Sequence, residues 1–316
     1  MTAKTFSFKC TACGKCCNSA PLTSLPELFH HESLFVGCLA IRRVKRYKPG
    51  QALVASGIHY PLSETDAGEM SALAESLYFD PGIGYDLAIQ TQALDYESLN
   101  RCPALGEDNR CTIHDNRKPT TCSMVPFDAL FPDRLQHLVL ASRDLGENCI
   151  VEGHAQEADV VIKDREITSE EYRLALAQRR SDLLAEKQGW GDAVFALLRP
   201  ALLAEPNQLD KIPVDGFLTL SIIPLLAVIG GVSERWRGRT LQYVDSQINL
   251  IDLKTSQAIQ RKNASDKPTT QALRGFKDAY LKFRTGLLAE SRLFPTSSGQ
   301  AAVLENYLSS LTKHKG

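Results

Sequence analysis

The chain has 316 residues, 43% of them apolar and 23% charged, with a formal net charge of −1. That apolar share is ordinary for a globular protein with a real core, and the length suits two domains or one large one. Near neutrality gives no global attraction to nucleic acid or another polyanion. The most apolar run, Phe217 to Val232, is interrupted by Pro224 and by Gly230-Gly231. It is too short to span a bilayer comfortably and reads as a buried helix or helix pair.

All nine cysteines lie at or before Cys149. This asymmetry separates a thiol-bearing first half from a second half without thiol chemistry. The expected domains are therefore a cysteine module over 1–165 and a helical region over 166–316.

In chain order, the first signal is Phe8-Lys9-Cys10-Thr11-Ala12-Cys13-Gly14-Lys15-Cys16-Cys17, with four thiols inside eight residues. Thiols two residues apart let a tight turn aim successive sulfurs at one point, as zinc or an iron–sulfur cluster requires. Gly14 supplies the positive φ that such a turn often needs. Cys16 and Cys17 are adjacent, and neighbours in an extended segment point to opposite sides. They serve two centres, or one ligates while the other is free. A disulfide framework is the plainer reading. No apolar leader precedes the cysteines, which points to the cytoplasm, where thiols stay reduced and such spacing binds metal more often than it cross-links.

Ser24 with Pro26 marks a helix start, and a short helix carrying His30, His31, Leu34, Phe35 and Cys38 is expected to follow. His30 and His31 are candidate ligands or ordinary edge histidines. Cys38, alone among apolar residues, reads as an inert buried thiol. Ile41 to Lys48 is densely basic: it offers a grip for phosphate, an acidic peptide or RNA, or else a solvated basic face. No aromatic stacking pattern accompanies it. Pro49-Gly50 ends this segment as a turn. A helix is expected from Glu64 to Leu77.

The second cysteine group comprises Cys102, Cys111 and Cys122. Gly106 to Asn109 is a polar turn able to fold Cys102 back toward Cys111. Pro119 and Pro126 bracket Cys122 and restrict the backbone around it. Beyond it, Leu135 to Leu140 and Ala158 to Ile162 read as short strands flanking Cys149. Thr168, with Glu171 three residues later, reads as a capping box. Helices follow over Tyr172 to Lys187, Gly191 to Leu203, Val232 to Leu250, Gln271 to Glu290 and Gly299 to Lys313. Pro206 punctuates the chain, and Asn263 to Thr270 reads as a polar linker. No phosphate loop or dinucleotide fingerprint is present.

The combined pattern resembles a known family. Phe-x-Cys-x-x-Cys-Gly-x-Cys-Cys is followed by Cys102-Pro103-x-Leu105, by Cys111-x-Ile113, and by Pro119-x-x-Cys122 with Pro126-Phe127 after it. It is similar to the YkgJ-type cysteine-cluster family, described as zinc- or iron-chelating and related to the cysteine-rich part of flagellin lysine-N-methylases. The matching positions are Cys10, Cys13, Cys16, Cys17, Cys102, Cys111 and Cys122, with Cys149 resembling the family's late cysteine. The chain departs from the family in having His114-Asp115 after Cys111-x-Ile113, Lys118 as an extra residue before Pro119, and Ser123 where an arginine is usual. Glu305-Asn306-Tyr307-Leu308 resembles a terminal motif of the methylase relatives, or is a packed helix end.

The expected fold is α+β, mostly α: a loop-rich, metal-bound cysteine module with a few short strands, packed against a helical C-terminal half. The expected occupant is an iron–sulfur cluster of the 4Fe-4S kind, alternatively zinc. The first functional reading is a metal-binding protein with a structural, redox or metal-handling role. The alternative is a protein-lysine methylase using S-adenosylmethionine on a protein substrate, with catalytic residues unassigned. Neither reading calls for a membrane or nucleic-acid partner.

Overall fold

A computed structural model describes residues 5–55, 57–143, 149–153, 159–204, 208–212, 216–289 and 298–313. Helix accounts for 54% of residues and strand for 17%, so the fold is α+β and mostly α. The chain runs through β1 (Phe6–Phe8), β2 (Leu22–Thr23), α1 (Leu25–His30), β3 (Val36–Lys45), β4 (Ala52–Ala55) and β5 (Ile58–Pro61). Next come α2 (Glu64–Leu77), β6 (Tyr85–Leu94), α3 (Thr120–Ser123), α4 (Gln136–Ser142), β7 (Ile150–Glu152), β8 (Val160–Lys163) and β9 (Glu166–Ile167). The remainder is α5 (Glu170–Glu186), α6 (Asp192–Leu202), β10 (Leu218–Ser221), α7 (Ile223–Gly230), α8 (Glu234–Arg261), α9 (Lys267–Ala289) and α10 (Ser298–Lys313). A single π turn, Lys187–Gly191, joins α5 to α6. Among the described residues no helix is long and apolar enough to cross a membrane.

The chain forms two compact units that interleave along the sequence, rather than following one another at residue 165. One comprises Met1–Asn18, Val44–Asp86 and Ala104–Leu184; the other comprises Ser19–Arg43, Leu87–Pro103 and Ala185–Gly316.

The first unit holds a sheet in the order β7-β1-β8-β9 and the β4-β5 hairpin. One core cluster gathers Leu53, Leu62, Leu135 and Leu138, with Tyr47, Tyr60, Met70 and Phe131 against it. That core explains why 135–140 is helical and not the expected strand. Leu135 and Leu138 stand three residues apart and both enter the core, a spacing that only a helix satisfies. Gln136 reinforces the helix start: its Nε2 donates to the Asp128 and Phe131 carbonyls, at 2.7 and 2.8 Å, and its Oε1 accepts the Asp128 N–H at 3.0 Å. Helix α2 has the expected bounds because Ser63 and Asp66 form a capping box. Asp66 is fully buried, accepts the Tyr60 hydroxyl at 3.2 Å, and pairs with Arg165 at 2.7 Å. Helix α5 does not have the expected cap. Thr168 Oγ1 donates to the Val160 carbonyl instead of capping, and the Ser169 hydroxyl faces the Tyr172 N–H at 3.5 Å.

The second unit is built on a sheet in the order β10-β3-β6-β2. Val36, Cys38, Leu39, Ala40 and Ile41 of β3 are all buried, the run expected of a strand covered on both faces. The expected helix through Cys38, opened by the Ser24–Glu27 capping box, therefore stops at His30, and the chain turns into β3. The apolar run from Phe217 is a strand followed by a helix, β10 and α7. The expected linker over 263–270 is a single helical turn, 264–266, that passes directly into α9. Pro206 and Glu290 lie outside the described residues.

On α8 the buried seam includes Trp236, Tyr243, Val244 and Gln247. Gly37 has no room for a side chain there, since a Cβ would stand 2.1 Å from the Tyr243 hydroxyl. Gln247 accepts the Gly37 N–H at 2.9 Å and donates to the Glu32 and Phe35 carbonyls at 2.9 and 3.1 Å.

Gln247→Leu is expected to cost about 3 kcal/mol, because it strips partners from buried backbone groups; a urea melt of the variant measures this. At Asp66, burial alone pushes the carboxyl up, but hydrogen bonds from Ser63 and the pairing with Arg165 outweigh it and hold it below its ordinary value. Its contribution is therefore complete above about pH 4 and is lost as pH falls through the lowered folded value. Asp66→Asn is expected to cost about 2 kcal/mol at pH 7, discounted for the partly exposed Arg165. The gap from wild type should narrow when the unfolding midpoints are compared at pH 3.

Candidate metal centre

The cysteine turn is launched from β1, which pairs antiparallel with β7 in the register Phe8↔Ile150. The Lys9 N–H then donates to the Cys149 carbonyl at 2.9 Å, so the late cysteine lies beside the root of the first group. Ala12 and Gly14 both take positive φ, 53° and 75°. The chain next makes a single helical turn, Lys15–Cys17, closed by Cys17 N–H to the Gly14 carbonyl at 2.9 Å. This segment is not extended, so Cys16 and Cys17 do not diverge. Their sulfurs stand 4.0 Å apart.

The second group approaches through its polar turn. Leu105 bridges to Cys111, Gly106 N–H donates to the Arg110 carbonyl, and Thr112 donates to the Ala104 carbonyl from both its N–H and its hydroxyl. The loop lies directly on Gly14. A Cβ there would meet Leu105 at 3.2 Å and Asn109 at 3.3 Å.

Cys122 is half-buried on α3, its N–H bonded to the Pro119 carbonyl. Cys102 is buried and belongs to the second unit, one residue before the chain passes from Pro103 to Ala104 in the first. Cys38 is also in the second unit. It is wholly buried, with its thiol donating to the Gln92 carbonyl, and burial pushes it up to about 12. Of the predicted ligands, Cys10, Cys13, Cys16, Cys17, Cys111, Cys122 and Cys149 thus share one unit.

The thiols differ in character. Cys16 is lowered to about 6, chiefly by the hydrogen bond from Cys17, with the charges of Lys118 and Arg143 assisting against burial. Cys149 is raised, first by burial and then by Cys13, Cys16 and Cys10. The ring of Tyr172 stands edge-on to Phe8 at 6.0 Å and to Phe127 at 5.3 Å. Burial pushes its hydroxyl up to about 12, with Glu171 and Cys10 adding to this.

Reasoning from sequence missed Arg143 and Tyr172 as neighbours of the thiols. Arg143 follows a helix read as a strand, and Tyr172 carries no motif beyond helical periodicity. The other candidates have separate employment. His30 and His31 stack edge-on at 4.6 Å in the second unit. In the basic run, Arg46 pairs with Asp80 and Asp86, both at 2.7 Å, and Arg43 donates to the Ile212 carbonyl. Those two side chains are spent on the fold and do not form a free cationic face.

Among the described residues, no three His, Cys, Asp or Glu side chains already stand close enough together to hold a metal ion. The donor set nevertheless fits a soft metal or cluster: it is all sulfur, one thiol ionises below neutrality, and two cations offset thiolate charge. Comparison with protein-family models, with curated proteins and with solved structures gives no match.

In metal-free protein at pH 7, Cys16 is expected to be mostly thiolate and to react with iodoacetamide well ahead of Cys38. Its alkylation rate should rise through a midpoint of about 6, read by peptide mass spectrometry across a pH series.

Proposed function

We propose that this protein binds metal through its clustered cysteines, holding an iron–sulfur cluster of the 4Fe-4S kind for a structural, redox or metal-handling role. Zinc is the alternative occupant. The observation that carries this reading is the meeting of three separate cysteine-bearing segments in one unit: the Cys10–Cys17 turn, the 105–111 loop and the strand end at Cys149. The resemblance to the YkgJ-type cysteine-cluster family supports it. The proposed ligand pool is Cys10, Cys13, Cys16, Cys17, Cys102, Cys111, Cys122 and Cys149, enough for two four-thiolate sites or one with spare thiols. A cytoplasmic setting belongs to the same proposal, since reduced thiols are its requirement.

A cluster is preferred to zinc for the Cys10-x-x-Cys13-x-x-Cys16 spacing, which matches three-cysteine arms of bacterial-type ferredoxins. Zinc sites are commonly built from two close pairs, and Cys102, Cys111 and Cys122 supply no second one. When bound, such a group supplies one-electron chemistry or a rigid covalent hub. The chain's part is to present thiolates from anchored loops and to offset charge at Cys16 with Lys118 and Arg143.

Anaerobic purification with iron supplied, followed by absorption spectroscopy and iron, sulfide and zinc analysis, tests the reading. The expected product is brown, holds iron and sulfide in equal amounts, and loses both in Cys13→Ala but not in Cys38→Ser. A colourless protein with stoichiometric zinc overturns the cluster in favour of zinc. Methyl transfer from S-adenosylmethionine to a lysine of a protein substrate would add an enzymatic role to the module.

A further inference from the structure

The first unit also gathers two arginines on one buried carboxylate. Arg165 is the second residue of the two-residue turn between β8 and β9, where Lys163 pairs with Glu166. Asp164 and Arg165 take φ of 53° and 69° there. Hairpin turns with positive φ at both central residues favour asparagine, aspartate or glycine, and this backbone is unfavourable for an arginine. Its guanidinium is nonetheless fixed. Nη2 donates to Asp66 Oδ1 at 2.7 Å, Nε donates to the Arg134 carbonyl at 3.4 Å, and the group lies 5.5 Å from the centre of the Tyr60 ring. The Arg134 guanidinium comes to the same carboxylate oxygen, with Nε 3.5 Å from Asp66 Oδ1 and 3.9 Å from Glu69 Oε1. Two cations therefore share one oxygen. The other, Oδ2, already accepts from the Ser63 N–H, the Ser63 hydroxyl and the Tyr60 hydroxyl.

These arginines are not exhausted by that contact. The side chain of Arg134 is 45% exposed and that of Arg165 33%, while Asp66 is wholly buried. Among the described residues the Arg134 guanidinium makes no hydrogen bond, and Arg165 uses Nη2 and Nε but not Nη1. Arg165 already neutralises Asp66 at 2.7 Å, so the fold does not need Arg134 for that purpose. We propose that Arg134 and Arg165 form a binding site for a phosphate group, with Arg165 as the fixed prong and Arg134 as the one that closes on it. Two planar forks suit a tetrahedral dianion, whose several acceptor oxygens can take N–H groups from both. A single carboxylate has less to gain, because Glu69 already stands as a competitor for Arg134. Binding is noncovalent, and no proton moves. The site uses none of the cysteines, so it stands whether or not they hold metal.

The test is equilibrium dialysis of the full-length protein against radiolabelled inorganic phosphate at low ionic strength, with glycerol phosphate and acetate as competitors. Phosphate is expected to bind, to be displaced by glycerol phosphate and to resist equimolar acetate. Arg134→Gln should weaken binding about tenfold, as loss of a charge-assisted hydrogen bond implies. Glu69→Gln, which removes the competing carboxylate, should tighten it. Arg165→Gln would strip the buried Asp66 charge of its close partner and endanger the fold, so the half-exposed Arg134 and Glu69 carry the test. Displacement by glycerol phosphate at lower concentration than by unlabelled phosphate supports the site and marks an ester as its ligand. Equal displacement supports the site and marks the free ion. Unchanged binding in Arg134→Gln, displacement by acetate as readily as by phosphate, or no binding at all overturns the inference. None of these outcomes touches the iron, sulfide and zinc content on which the metal reading turns.

Discussion

The candidate centre depends on one close approach, the backbone of Gly14 against the loop from Leu105 to Asn109. Two constraints coincide at this residue. Its φ of 75° is costly for a residue with a side chain, and the space a Cβ would need is already occupied at 3.2 and 3.3 Å. The positive φ turns the chain so that Cys13 and Cys16 fall on either side of a bend. The missing side chain lets the second loop settle on that bend. Without both, the first and second cysteine groups would be joined only by a long stretch of chain.

Charge is the second constraint on the same site. Thiolates gathered at one place repel, and Cys149 shows the effect, being raised by burial and then by Cys13, Cys16 and Cys10. Cys16 moves the other way because of its hydrogen bond with Cys17 and the charges of Lys118 and Arg143. The unit thus holds both a thiol that ionises readily and one that resists ionisation. A bound metal would reverse the second tendency, since coordination deprotonates a thiol outright.

Much of this was legible in the sequence, for reasons that can be traced. Helix α2 was legible because turn residues follow it at Asp80-Pro81-Gly82, and the Ser63–Asp66 capping box fixes its start. The cysteine turn was legible as a tight bend because Gly14 stands inside the closely spaced thiols, and it does take positive φ there. Elsewhere, tertiary contacts overrode local preference. Leu135 to Leu140 has a strand-like composition, yet Gln136 is tied to three backbone groups of the preceding 128–131 loop while Leu135 and Leu138 enter one core. Cys38 was assigned to a helix that ends at His30, because the capping box at Ser24 fixes a beginning and says nothing of an end. Arg143 and Tyr172 were invisible as site residues. Their nearness to the thiols arises from the packing of Phe8, Phe127 and α5, which no local pattern encodes.

The anchoring of the loops bears on how a metal would be held. The cysteines sit on short irregular segments whose ends are tied to regular structure. Cys10 follows β1, Cys149 immediately precedes β7, and those strands pair through Phe6, Ser7 and Phe8. Cys111 lies in a loop pinned by Thr112 to Ala104. Closing such segments onto a common point costs little entropy beyond that already lost in folding, because the lengths left free are a few residues. Were a metal bound by these thiols, its binding free energy would be available to stabilise the unit. The thiols stay outside the apolar core gathered by Leu53, Leu62, Leu135 and Leu138. That separation lets the core fold around ordinary burial while the loops remain adjustable to the geometry a metal or cluster imposes.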